Sequence, residues 1–135
     1  MIKICTVYFG DRYSTDYVDK LYNSIKRNST VDFEFICISD TKYDSRLDDG
    51  VYPDKDFDDS ITVLPYNHLG DIKKHWHKLK FFSPQFGNQK PGDDIIIMDI
   101  DQIITSNIDE LLTWPVKDKE LLTYGVWWEN KLGIN

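Results

Sequence analysis

Two aspartates, Asp99 and Asp101, close a short apolar run, Ile95 to Met98, within residues 92–101 (GDDIIIMDID). Off an extended backbone, residues two apart point the same way, so the two carboxylates would face together while Ile100 turns aside. Carboxylates that close repel each other and call for a cation or for raised pKa values. A hard divalent ion, Mn²⁺ or Mg²⁺, meets that need and commonly takes phosphate oxygens of a ligand as well. The alternative is a solvated loop with two surface acids, the commoner fate of a bare D-x-D. The strand favours a site. A continuous apolar run with β-branched residues reads as buried on both faces and central in a parallel sheet, and open α/β folds hold ligands at the carboxyl ends of such strands.

The elements that would position this pair follow the hydrophobic pattern. Residues 2–8 (IKICTVY) form a first strand, broken by Phe9-Gly10-Asp11. Ser14 or Thr15 caps a helix with an apolar stripe of Tyr17, Val18, Leu21, Tyr22 and Ile25. Residues 32–39 (DFEFICIS) form a second strand in which Phe33, Phe35 and Cys37 alternate with Glu34, Ile36 and Ile38. Strand, helix and strand in so short a stretch imply a right-handed parallel crossover. Residues 40–60 are rich in aspartate and read as a long loop. A brief third strand, 61–64, is stopped by Pro65. Asp71 caps a second helix with Ile72, Trp76, Leu79 and Phe82 on one face and His75 at its border, closed by Ser83-Pro84. After Asp101, residues 102–105 extend as a short edge strand, Ser106 or Asn107 caps a small helical turn (IDELL), and 121–128 make a last strand.

Composition bounds the rest. A chain of 135 residues, 41% hydrophobic and 29% charged, is expected to be one globular domain. A net charge of −7 argues against nonspecific nucleic-acid binding, although a metal can still recruit an anion. No apolar run reaches the roughly 20 residues of a membrane span. The opening Met-Ile-Lys-Ile-Cys enters a strand pattern directly, without the profile of an export leader, so a cytoplasmic location is expected. Cys5 and Cys37 fall in apolar strands and read as buried free thiols; in an exported protein they would be candidates for a bridge between neighbouring strands.

Five segments, in order, resemble the N-terminal nucleotide-binding half of GT-A fold glycosyltransferases, nearest in pattern to family-8-like and capsular-polysaccharide-type enzymes. They are TVYFGDRYSTDYVDKLYNSIKRN, FEFICISD, VLPYN, HWHKLKFFSP and IIIMDIDQIITSNIDELL. The resemblance implies a Rossmann-like α/β domain with a mostly parallel sheet flanked by helices, holding a nucleotide-sugar donor at the sheet's carboxyl edge. It places Thr6, Val7, Tyr8 and Tyr13 around the base, with Tyr13 available for stacking. It puts Asp40 near the base or ribose, and Lys78 at the diphosphate or sugar in a catalytic role. Asp99, Ile100 and Asp101 would line the donor site. Asp99 and Asp101 would bind Mn²⁺ or Mg²⁺, with Asp101 serving catalysis through that ion. Family members run to about twice this length, and their second half supplies acceptor contacts and often a histidine ligand. No histidine follows Asp101 in this chain. A partner chain, a second copy of this chain completing the acceptor site, or a small acceptor would each make good that difference.

Other residues carry weaker arguments. Lys78 is one of several lysines in its segment, whose default is a solvated face. His75 and His77 are two apart, the wrong spacing for joint ligation on a helix; His75 reads as half-buried packing and His77 as surface. Trp127 and Trp128 point to opposite sides of a strand, so one is core and the other a candidate for an acceptor pocket. Glu129 is a general-base candidate that nothing ties to the metal. Two alternatives stand beside the transferase. One is a catalytically incomplete donor-binding subunit or remnant. The other is a haloacid-dehalogenase-like phosphatase, whose D-x-D also ends an apolar strand, but which carries Thr or Val where this chain has Ile103.

Overall fold

A computed structural model describes residues 1–10, 12–40, 57–70, 72–117, 120–123, 125–126 and 131–132. Most of the acidic loop, the Asp71 cap, Trp127, Trp128 and Glu129 lie outside the described residues. The chain forms an α/β fold around four parallel strands, β1 (Ile2–Tyr8), β2 (Phe33–Ser39), β3 (Ile61–Pro65) and β4 (Asp94–Ile97). Their order is β3-β2-β1-β4, so the sheet reverses its direction of growth at β1. Helix α1 (Asp16–Asn28) joins β1 to β2 and buries Val18, Leu21, Tyr22 and Ile25, the stripe expected from spacing.

Strand alternation divides the core between the two faces of the sheet. Ile4, Tyr8, Phe35, Cys37 and Ile61 pack with α1, Met98 and Ile100 on one face. Cys5, Val7, Ile36 and Ile38 pack with Phe81 and Phe86 on the other. The expected division of β2 into Phe33, Phe35 and Cys37 against Ile36 and Ile38 is therefore observed. Gly87 sits under this second face with φ +50°, and a Cβ there would come within 2.9 Å of Ile36 Cδ1. Its carbonyl accepts a 2.7 Å hydrogen bond from Nζ of the buried Lys3.

Three expectations are corrected. The apolar run ending in the aspartates is not central: β4 pairs with β1 alone among the described residues. Its side chains meet both core clusters, but with one edge unpaired they are only partly buried. Residues 102–105 form no strand; instead Ile104 N–H donates to Ser24 Oγ at 3.0 Å, and Asn28 Nδ2 donates to the Ile104 carbonyl at 2.9 Å. Of the last expected strand, residues 121–123 are not strand and Gly125–Val126 form β5, antiparallel to β6 (Lys131–Leu132) in a separate ribbon, while 124, 127 and 128 lie outside the described residues. The small helix is present as α2 (Asp109–Leu112), with Asn107 Oδ1 accepting from the Asp109 N–H at 3.0 Å.

The second helix departs further. Lys74–Phe82 is a 3₁₀ helix, entered through Lys74 at φ 54°. With three residues per turn, every third side chain lines up. Trp76, Leu79 and Phe82 form one row and are 58%, 57% and 63% exposed, where an α-helical reading buries them. His77 and Lys80 form a second row and are buried: the His77 ring stacks on Tyr66, and Lys80 Nζ donates to the Tyr66 carbonyl at 2.7 Å. The third row, His75, Lys78 and Phe81, runs from the surface into the core.

No helix among the described residues is long and apolar enough to cross a membrane.

Candidate functional site

Parallel pairing fixes where chemistry can gather. β1 and β4 run side by side in the same direction, so the loops leaving Tyr8 and Ile97 emerge at one edge of the sheet. The third row of the 3₁₀ helix delivers His75 and Lys78 to the same edge. A cavity of ≈ 270 Å³ opens there, lined by Val7, Phe9, Arg12, Tyr13, His75, Lys78, Asp99, Ile100 and Asp101. A depression of ≈ 280 Å³ on the outer side of α1, lined by Asp16, Lys20 and Arg27 among others, lies away from this edge.

The aspartates share the cavity, though by a different route from an extended strand. β4 ends at Ile97, and the Gln102 N–H reaches back to the Asp99 carbonyl at 3.3 Å, so residues 99–102 form a turn. Gln102 Oε1 accepts from the Asp99 N–H at 3.2 Å. Ile100, between the two acids, is 9% exposed and joins the α1-side core, which anchors the turn. Lys78 Nζ stands 2.6 Å from Asp99 Oδ1, with the lysine side chain 24% and the aspartate side chain 44% exposed. Tyr13 O–H reaches Asp101 Oδ2 at 3.4 Å, a long and weak bond. The cavity therefore holds two carboxylates and two cations, Lys78 and Arg12, and the lysine supplies the counter-charge that the acid pair requires.

A divalent ion fits the acid pair in part. The two carboxylates face one cavity, and among the described residues each makes a single side-chain hydrogen bond, through Asp99 Oδ1 and Asp101 Oδ2. Among the described residues no group of three His, Cys, Asp or Glu side chains comes together. Two protein oxygens completed by ligand phosphate and water is an ordinary arrangement for Mg²⁺.

The other residues proposed for the site divide between lining it and supporting it. Val7, Tyr13, Lys78, Asp99, Ile100 and Asp101 line the cavity. Thr6 is 1% exposed and Tyr8 4%, and neither lines it. Tyr8 O–H donates to the Tyr13 carbonyl at 2.8 Å, and its ring packs edge-on against Phe57, so it braces the loop that carries Tyr13. Asp40 accepts from the Gly10 N–H at 2.9 Å through Oδ2 and fixes the start of that loop.

Sequence reasoning missed Phe9 and Arg12. Both sit just after the first strand, and that position is the signal that marks them. The histidines exchange their expected roles. His75 is exposed and lines the cavity, whereas His77 is fully buried, because 3₁₀ geometry separates them into different rows. Arg12 lies over the Tyr13 ring at 5.2 Å, which steadies both side chains at the rim.

Compared with protein-family models, curated proteins and solved structures, the chain matches none.

Proposed function

We propose that this chain binds a nucleotide-sugar, a UDP-sugar first among them, and is a metal-dependent glycosyltransferase of the GT-A type. One observation carries the reading: Lys78, Arg12, Asp99, Asp101 and Tyr13 converge on one cavity at the carboxyl edge of a parallel sheet. In the transfer, an acceptor oxygen bonds to the anomeric carbon. The bond from that carbon to the donor phosphate breaks, its electron pair stays on the nucleoside diphosphate, and the acceptor's proton passes to a base or to water. Negative charge builds on the leaving diphosphate. Lys78 and Arg12, which both line the cavity, would neutralise it. Asp99 and Asp101 would hold Mn²⁺ or Mg²⁺, which when bound supplies Lewis-acid stabilisation of the same charge. The Tyr13 ring offers a face for a base. At ≈ 270 Å³ the cavity accommodates the charged centre of such a donor, with its other parts extending beyond.

The test is thermal denaturation with Mn²⁺ and UDP, separately and together. A ligand of the folded state raises the melting temperature, so the pair should raise it more than the sum of each alone. Asp101→Ala should abolish the joint shift; a variant that keeps it removes the metal assignment. Slow release of UDP from a UDP-sugar distinguishes an enzyme from a donor-binding subunit. Phosphate release from a simple monoester, without any response to nucleotide, would overturn the transferase in favour of a phosphatase.

A further inference from the structure

We propose that the Lys78–Asp99 ion pair couples cation binding to anion binding, so that each ligand, by breaking the pair, frees the group that receives the other. This rests on the metal and diphosphate reading above and adds to it a coupling between the two ligands. Asp99 Oδ1 is engaged by Lys78 Nζ at 2.6 Å, and no other hydrogen bond or ion pair engages the lysine among the described residues. A dication on Asp99, at the oxygen Lys78 leaves open or at both, competes with the ammonium for one carboxylate charge and repels it, so the lysine stands in the cavity short of counter-charge until an anion arrives. An anion that draws Lys78 away leaves Asp99 without its cation until a metal arrives. Binding of either is opposed by the intact pair, and binding of both satisfies all four charges.

The other groups facing the cavity do not share this arrangement. Arg12 contributes positive charge, but among the described residues it lies over the Tyr13 ring and pairs with no carboxylate. Asp101 contributes negative charge, but it accepts from a neutral tyrosine hydroxyl. These two residues are matched controls, since each carries the same charge as a member of the pair without belonging to it. Thermodynamic linkage requires the coupling to be reciprocal.

Mn²⁺ affinity is measured by calorimetry and by the electron paramagnetic resonance of the free ion; UDP affinity is measured with EDTA present. Lys78→Met should bind Mn²⁺ alone about twofold to fivefold more tightly than wild type, the effect expected of a partly exposed pair. Arg12→Met should gain less. UDP should tighten Mn²⁺ binding by a smaller factor in Lys78→Met than in wild type, and Lys78→Arg should restore the larger factor. In EDTA, Asp99→Asn should bind UDP more tightly than Asp101→Asn, because only the former releases the lysine. Far-UV circular dichroism establishes that each variant is folded.

If Arg12→Met matches Lys78→Met, and Asp101→Asn matches Asp99→Asn, the effect is a general field and the coupling is overturned while the metal reading stands. If wild type binds no Mn²⁺ even with UDP, that reading falls and takes the coupling with it.

Discussion

Asp109 shows how one side chain holds two distant segments together. Its carboxylate accepts from Ser29 Oγ at 2.8 Å, Thr30 N at 2.9 Å, Thr30 Oγ1 at 2.7 Å and Asn107 Nδ2 at 3.0 Å. It thereby ties the exit of α1 to the start of α2. Hydrogen bonds from Asn107, Thr30 and Ser29 hold this carboxyl well below the usual carboxylate range. A group whose pKa is depressed by folding stabilises the native state above its unfolded pKa and loses that contribution as the pH falls towards the folded value. Asp109→Ala should therefore be less stable than wild type in urea from pH 5 to 8. The difference should narrow as the pH drops below about 3.9, the ordinary aspartate value. A difference that stays constant down to pH 2.5 would show that the carboxylate's charge plays no part. At the same scale, residue type marked Asp99 and Asp101 in the sequence, but the spacing argument assumed an extended backbone, and the two acids line one cavity from a turn instead. The turn that delivers them was not legible, because it depends on the Asp99–Gln102 contacts and on Ile100 finding the core.

At the scale of elements, β1, α1, β2 and β3 follow from their apolar patterns and from the turn residues that bound them. β4 and the 3₁₀ helix do not. A run such as Ile95 to Met98 shows that both faces meet apolar neighbours, but it is silent on which strands lie alongside. In Lys74–Phe82 the buried side is chosen by the His77–Tyr66 stack and the Lys80 hydrogen bond on one row and by Phe81 at the inner end of the next, and not by the count of apolar residues. The consequence is measurable. Phe81 is fully buried between β1, β2 and Phe86, whose ring centroid is 4.9 Å away. Phe81→Ala should cost about 3–5 kcal/mol of stability, as large-to-small core substitutions do. Leu79→Ser, on the exposed row, should change stability by no more than about 0.5 kcal/mol. An α-helix with Leu79 on its buried face demands a severe loss at Leu79, so paired denaturation curves of the two variants decide between the geometries.

Across the whole molecule, the parallel sheet acts as a partition, and the cysteines show what that means. Cys5 stands opposite Ile36, and Cys37 opposite Thr6, in the β1–β2 register. The two thiols are near neighbours along the strands, yet Cys5 packs with Val7, Phe81 and Phe86 while Cys37 packs with Ile4, Tyr8 and Phe35 on the other face. A bridge between neighbouring strands needs Cβ vectors that point together, and here they diverge. The bridge imagined for an oxidising environment is therefore excluded by geometry, and the free thiols carry no information about compartment. Burial also pushes the Cys5 thiol up to about 12, and Cys37 higher still. Because the thiolate is the reactive form, both should be inert in the native state. At pH 8, a chromogenic disulfide reagent should label the native protein only at the rate at which the chain opens, and should label both cysteines at once in guanidinium. An oxidant should leave the melting temperature of the monomer unchanged. Rapid labelling of a native thiol would mean that its strand is not buried as described, and a reductant-sensitive melting temperature would mean that the two cysteines are not separated by the sheet and that the register of β1 on β2 is wrong. Since β1 also carries Val7 to the cavity and pairs with β4, which leads into the turn bearing the aspartates, a wrong register would dismantle the site along with the core.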